Sequence, residues 1–381
     1  MSTIGVGVIG LGWMGRVHSQ AYLRVPHHFP DLKPAPRLVT AADPVAELRD
    51  DATRRYGFAR TAASWAEVLA DPEVAAVSVT TPTDLHAEVG VAAAKAGKHI
   101  WIEKPVGRDA GEAAAVADAA TAAGVQSTVG FNYRNAPAVA RARELIAAGH
   151  IGAVTHARFR FLGDYAAHPM GALSWRFTRA RSGSGVLGDL MSHAADLARH
   201  LVGPLTAVVA DQATFIAERP TPAGATSHYA TATGALAPVE NEDWAACLVR
   251  FASGARGSLE ASRVSVADQN NYGFEIHGTK GAVAWDFRRM GELRVSTGDG
   301  YQNVALATEY VGPGVGEYAA FQPGAGIAMG YDDLKVIEAA NFLRSISDGA
   351  PHGPTLDDAV HAARATAAMS ESFHTGTWVT L

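Results

Sequence analysis

Cysteine occurs once, at Cys247, which excludes an intrachain disulfide and a cysteine-ligated metal cluster. Lysine is scarce. Of 32 basic residues only Lys33, Lys95, Lys98, Lys104, Lys280 and Lys335 are lysines. Where so arginine-biased a chain keeps a lysine, the position favours a compact ammonium whose pKa can move. There is no excess of positive charge: the formal net charge is −6, which argues against nucleic-acid and anionic-membrane partners. No apolar run is long enough to span a bilayer. The apolar start lacks a basic leader region, so no signal peptide is expected. These absences leave a cytoplasmic enzyme as the default. At 381 residues the chain has room for two domains.

Glycine, by contrast, is plentiful, and its first cluster carries information. Ile4 to Gly15 reads I-G-V-G-V-I-G-L-G-W-M-G, an apolar run ending in G-x-G-x-x-G and followed by a helical pattern from Arg16 to Leu23. Such a turn lets backbone approach a pyrophosphate and aims a helix N-terminus at it. Gly10, Gly12, Trp13, Met14 and Gly15 are therefore expected to bind a dinucleotide; the plain alternative is an ordinary glycine-rich turn. After a proline-rich loop, Arg37 to Asp43 reads as a second strand. Asp43 at its end is the expected partner of the ribose 2′-hydroxyl, and it would repel a 2′-phosphate, favouring NAD over NADP. Asp43 also suits a cap on the next helix.

Further strands are expected over Ala75 to Thr81, His99 to Glu103 and Val125 to Phe131, with a helix over Ala87 to Ala96. Together they predict a six-strand doubly wound sheet. Ligands sit at the carboxyl ends of such strands, so Thr81, Pro82, His86, Glu103, Lys104 and Asn132 are candidate cofactor neighbours. The pair Glu103-Lys104 ends a buried strand before Pro105, a placement unlike a solvated turn.

Near residue 132 the pattern changes, predicting a Rossmann domain over residues 1–131 and an α+β substrate-binding and oligomerisation domain over 132–381. A helix is expected from Pro137 to Ala148. Alternating runs at 154–162, 206–216, 243–251, 256–264, 272–277, 282–287 and 304–308 predict a large, mainly antiparallel sheet with helices on one face. Its free face suits a homodimer or homotetramer. Pro220 to Ala237 reads as a mobile loop. Ser182 to Val202 is a glycine-rich lead-in followed by a helix, with Asp189 and His193 four apart and next to the opening. Asp196 and His200 repeat that spacing, so position rather than spacing singles out the first pair. A metal reading fails for want of a third ligand, and none is expected.

The pieces G-L-G-W-M-G at 10–15, T-P-T-D-L-H at 81–86, E-K-P at 103–105, G-F-N-Y-R at 130–134 and G-D-L-M-S-H at 188–193, in that order, resemble the Gfo/Idh/MocA oxidoreductases over the whole chain. S-W-R-F at 174–177 with the following G-S-G-V-L-G-D is most similar to the levoglucosan dehydrogenase branch and related sugar 3-dehydrogenases. The resemblance implies NAD(P)-dependent hydride exchange at a secondary alcohol of a sugar, anhydrosugar, glycoside or cyclitol, with Lys104, Asp189 and His193 at the catalytic positions. His193 then suits a general base and Lys104 a stabiliser of developing alkoxide, roles the two can exchange. Asp189 would hold a substrate hydroxyl or orient the base, in a cleft between the domains. Trp175 and Arg176 are expected to reach cofactor or sugar. Tyr133, Arg134, Asp164 and Tyr165 would line the sugar pocket, and Tyr331, opening a helix over Asp332 to Ser347, would close it. Two other readings share the cofactor site: an NAD-dependent glycoside-cleaving enzyme, and a non-catalytic sensor, which the three retained reactive groups disfavour.

Overall fold

The computed structural model describes residues 3–224, 229–298 and 300–381. The chain begins β1 (Thr3–Ile9), α1 (Trp13–His28), β2 (Ala35–Ala42), α2 (Ala46–Tyr56), β3 (Arg60–Ala62), α3 (Trp65–Ala70), β4 (Ala76–Val79), α4 (His86–Lys95), β5 (His99–Ile102), α5 (Ala110–Ala123) and β6 (Ser127–Val129). It continues with α6 (Pro137–Ala147), β7 (Val154–Leu162), α7 (Arg179–Ser182), α8 (Ser192–Val202), β8 (Leu205–Ala213), β9 (Glu218–Pro220), β10 (Leu236–Pro238), β11 (Trp244–Phe251) and β12 (Arg256–Ser262). β13 (Asn271–Gly278), β14 (Ala282–Asp286), β15 (Glu292–Ser296), β16 (Ala307–Tyr310), α9 (Tyr331–Asp348), α10 (Leu356–Thr375) and β17 (Val379–Thr380) complete it.

Two compact units result. The first runs through Asn135 and takes back Met329–Val360; the second comprises Ala136–Ala328 and His361–Leu381. A single break at 131/132 describes the sequence pattern but not this return of α9. The reason is visible in α9 itself: Leu334 to Ala340 are all buried, a helix covered on every side, and it packs along α1 of the first unit.

In the first unit six parallel strands lie in the order β3-β2-β1-β4-β5-β6. All four residues of β4 are buried, as a sheet with two covered faces requires. The sixth strand is β3, a three-residue edge piece with only Ala62 buried, too short and too polar to produce a periodic signal. Helix α1 is longer than the sequence pattern indicated. It starts at Trp13 and runs past Pro26 in its last turn, shortening the proline-rich loop. The strand order reverses between β1 and β4, and the carboxyl ends there form the crevice where α/β sheets bind ligands.

The second unit is built on a nine-stranded sheet, β16-β15-β14-β13-β7-β12-β11-β8-β17. It is antiparallel except at its centre, where β7 and β12 run parallel. A parallel pair needs a long crossover, and the segment between them, which carries α8, supplies it. Strand β15 gives no clear sequence signal, and the strand expected at 304–308 lies at Ala307–Tyr310. Alternate residues of β11 are buried, and α8 packs against β7 and β12. The ends of the segment read as a loop over 220–237 pair as β9 and β10, while residues 225–228 lie outside the described residues.

Candidate active site

At the switch point the glycine turn has the shape a phosphate requires. Gly10 has φ +91°, and a Cβ there would meet Thr80 O at 2.8 Å; a Cβ on Gly15 would meet Gly10 O at 1.9 Å. The first glycine makes the turn and the last lets helix and strand close up. Gly12 is different. A Cβ on it would meet nothing within 4 Å, so this glycine borders open space. It also serves as N-cap of α1 without any side-chain cap, and no acidic residue stands in the first turn. The backbone N–H groups of that turn and the positive helix end therefore remain for an anion. These residues fit the pyrophosphate of a dinucleotide.

Asp43 follows β2 directly and is buried. Its Oδ2 accepts from Leu11 N at 2.8 Å and its Oδ1 from Val45 N at 2.9 Å, so it ties the glycine loop to the start of α2. The cap expected of Asp43 takes this form: the N-cap position itself is Val45. Thr81 Oγ1 and Asn132 Nδ2 are buried polar atoms without a protein partner, which a cofactor amide or hydroxyl would satisfy. Pro82 opens a short 3-10 turn ahead of α4. His86 has both ring nitrogens facing carbonyls, Pro105 O at 2.7 Å and Thr81 O at 2.8 Å. Burial holds its pKa below the usual value, so the neutral ring donates to one of the two.

Glu103 is buried, and its Oε1 meets His18 Nε2 at 3.0 Å and the Lys335 ammonium. Glu103 turns inward to α1 and α9, while Lys104 is half-buried. Burial alone would raise the Glu103 pKa, but the Lys335 charge and the His18 hydrogen bond outweigh it and hold the carboxyl well below its ordinary range. Tyr331 opens α9, stacks on Trp13 with centroids 5.6 Å apart and meets Tyr133 edge-on at 6.2 Å. Trp13 remains 58% exposed, a large apolar surface beside the glycine loop. Arg134, expected as pocket lining, pairs with Asp358 at 3.2 Å.

In the second unit Asp189 sits in a π turn, Leu187–Met191, that leads into α8. Such widened turns recur at functional sites. Part of the glycine-rich lead-in packs closely against protein. A Cβ on Gly185 would lie 2.1 Å from Glu242 O, and the buried Glu242 carboxylate accepts from Gly185 N at 2.8 Å and Leu187 N at 3.0 Å. The helix entrance is capped by this carboxylate. Tyr165 donates to Asp189 Oδ2 at 2.5 Å. Burial, and then the neighbouring carboxylate, push the Tyr165 pKa well above its ordinary value, so it remains a donor. His193 is buried, flanked by the rings of Phe161 and Tyr272, and its carbonyl accepts from Tyr272 Oη at 2.9 Å. The Arg176 guanidinium lies 4.4 Å over the Trp175 ring. Asp164 accepts from Gln269 Nε2 at 3.3 Å.

Sequence reasoning missed Arg219, Arg263 and Phe177. Both guanidinium groups stack on Phe177, at 4.3 and 4.6 Å. Arg219 is 1% exposed and donates to the carbonyls of Ala166 and His168, pinning the segment that carries Asp164 and Tyr165. Arg263 pairs with buried Asp243 at 2.8 Å. Lys335 and Glu338 were also missed; the rarity of lysine was the one available signal. Among the described residues, His18, Glu103 and Glu338 could supply a metal with three ligand atoms, but Lys335 Nζ already bonds both carboxylates there.

A doubly wound domain with an anion-ready glycine turn, followed by an α+β domain on a large mixed sheet, defines a dinucleotide-binding oxidoreductase. Residues 4–131 match the family described as "Oxidoreductase family, NAD-binding Rossmann fold", and residues 139–284 match the "GFO/IDH/MocA C-terminal domain". The chain belongs to the Gfo/Idh/MocA family of oxidoreductases. It is 38% identical to levoglucosan dehydrogenase of Pseudarthrobacter phenanthrenivorans, over 100% of this chain and 98% of that protein. Inositol 2-dehydrogenase of Rhizobium meliloti is 29% identical over 91% of this chain and 98% of its own length. The solved structure of levoglucosan dehydrogenase in complex with NADH and L-sorbose superposes with TM-score 0.94 at 38% identity, covering 99% of this chain and 98% of that one.

Proposed function

We propose that the protein oxidises a secondary hydroxyl of a sugar, anhydrosugar or glycoside to a ketone with NAD, and that levoglucosan-like anhydrosugars head its substrate class. The observation that carries this reading is the presence of Lys104, Asp189 and His193 together in a chain 38% identical, end to end, to levoglucosan dehydrogenase. When bound, NAD supplies the hydride acceptor. The chain's own groups would hold it: the N–H groups of Trp13, Met14 and Gly15 would serve the pyrophosphate, and Asp43 would take the ribose hydroxyls and disfavour a 2′-phosphate. Proton handling falls to His193 as general base, with Lys104 stabilising the developing alkoxide. Separate pH profiles of variants at each position decide which is the primary acceptor. Asp189, held by Tyr165, orients a neighbouring substrate hydroxyl. Tyr133, Asp164, Arg176 and Tyr331 contribute further contacts to the sugar, and Trp175 to the cofactor.

The free face of the nine-stranded sheet is proposed to join a second copy in a homodimer or homotetramer. Among the described residues no helix is long and apolar enough to cross a membrane. The single buried thiol, Cys247, suits the reducing cytoplasm.

The test is NADH absorbance on mixing with NAD and a panel of anhydrosugars, glycosides, free sugars and inositols. Lys104→Ala and His193→Ala should each cost about 10²- to 10⁴-fold in turnover while nucleotide still binds. Full activity in both variants would overturn the assignment. Free aglycone without net NADH would favour the glycoside-cleaving alternative.

A further inference from the structure

Lys335 is fully buried on α9, 231 residues beyond Lys104, and the reaction as proposed gives it no task. Its ammonium contacts Glu103 Oε1 and Glu338 Oε1, the latter at 2.8 Å, and lies 5.7 Å from the centre of the Trp101 ring. Trp101 Nε1 donates to Glu338 at 2.7 Å, and His18 stacks on the Trp101 indole at 3.5 Å. Several ionisable groups are therefore withdrawn from water in one place. Buried ion pairs of this kind seldom add net stability over well-packed apolar side chains. What they do supply is one defined geometry.

That geometry is imposed on the residue beside Lys104. Glu103 Oε1 is gripped from α1 by His18 and from α9 by Lys335. The carboxylate is also packed against Gly130, where a Cβ would come within 2.5 Å of its oxygens. On the other flank the Pro105 carbonyl is bound by His86 of α4. Lys104 stands between these two anchored neighbours. We propose that Lys335 is a positioning residue for Lys104, acting by pinning Glu103 at the end of β5 to α9; this rests on the reading that Lys104 takes part in the reaction.

The titratable and charged groups around the tie are His18 and Tyr22 on α1, His86 on α4, Glu103 and Lys104 after β5, and Lys335 and Glu338 on α9. Burial pushes Glu338 up to about 7, and burial takes His18 down to about 4. Lys335 stays charged: burial would lower its pKa, but Glu103 and Glu338 together raise it. The Glu103–Lys335 pair is thus the persistent ion pair of the cluster.

The test compares the full-length protein with Lys335→Met, Lys335→Arg and Glu338→Gln. Acetic anhydride labelling across pH, read on the Lys104 peptide with exposed Lys95 and Lys280 as internal references, reports the Lys104 amine without any substrate. In Lys335→Met the labelling profile of Lys104 should shift against both references. Its kcat should fall about 10- to 100-fold, the scale of a misplaced catalytic group, with KM for NAD little changed. Lys335→Arg, which keeps the cation, should recover part of the loss, and Glu338→Gln, which keeps the Glu103–Lys335 pair, should behave as wild type. An unchanged Lys104 profile and kcat in Lys335→Met, with only a lower Tm, would overturn the proposal, as would an equal loss in Glu338→Gln. If Lys335→Met does not fold, Glu103→Gln carries the same test, and unchanged labelling and kcat there overturn it. Failure of the wild type to oxidise any carbohydrate would sink the dehydrogenase reading alone, because the labelling does not depend on it.

Discussion

Tyr165 donates its phenolic hydrogen to Asp189 Oδ2 at 2.5 Å, joining the loop after β7 to the π turn before α8. The tie makes Asp189 a held carboxylate, with one oxygen already oriented from within the second unit. A hydrogen bond to a charged group is worth about 1.5–3 kcal/mol, so Tyr165→Phe should lower kcat/KM for the sugar by roughly 10- to 100-fold. Nucleotide affinity should stay as in wild type, because the hydroxyl bonds Asp189 within the second unit. Steady-state kinetics with varied sugar checks this, and an unchanged kcat/KM would refute it.

Asp43 ties the glycine loop to the start of α2 and, in the proposed function, also takes the ribose hydroxyls. Replacing it by Ser leaves a hydroxyl that can accept from one of Leu11 N and Val45 N and removes the charge that repels a 2′-phosphate. The expected outcome is a higher KM for NAD and a smaller preference for NAD over NADP. Cofactor kinetics on the two forms measure it; an unaltered preference would remove Asp43 from cofactor choice.

His18 makes stability depend on acid. Its pKa falls from 6.5 to about 4 on folding because burial disfavours the imidazolium. The unfolded chain therefore binds the extra proton between those values, and stability is lost as pH drops from about 6.5 to about 4. The contribution is on the order of 3 kcal/mol. Glu338 works in the opposite sense. Its raised pKa, about 7, gives stability that is present below the ordinary carboxylate range and lost as pH rises through 7. Urea unfolding of His18→Gln against wild type should show the deficit of the variant shrinking as pH falls from 6.5 to 4. Parallel pH profiles would contradict this assignment.

Arg219 holds its loop through two carbonyls and the face of Phe177. Arg219→Met keeps much of the apolar stem but leaves both carbonyls unbonded, a cost of about 1–3 kcal/mol. Because the carbonyls belong to Ala166 and His168, beside Tyr165, KM for the sugar should rise together with the loss of Tm. A lower Tm with unchanged KM would confine Arg219 to stability.

Much of the architecture was legible in the residues. Buried parallel strands announce themselves as short apolar runs, and G-x-G-x-x-G after such a run marks the first strand–helix turn. Alternation marked most strands of the second sheet because one face of each is buried. Where that signal is weak the pattern is silent or displaced: β3 has a single buried residue, β15 has no clear run, and the strand near 304 begins three residues later.

The order of elements, the two kinds of sheet and the residue types available for chemistry are all written in the chain, because they follow from local periodicity and from turn residues. The pairings come from folding. It brought Lys335 to Glu103 across 232 residues, turned Glu103 inward to α1 and α9, set β7 parallel to β12, and packed Gly185 against Glu242. Local pattern tells which face of an element is buried. It carries no information on which distant residue will meet that face, because partner and register are fixed only when the elements pack.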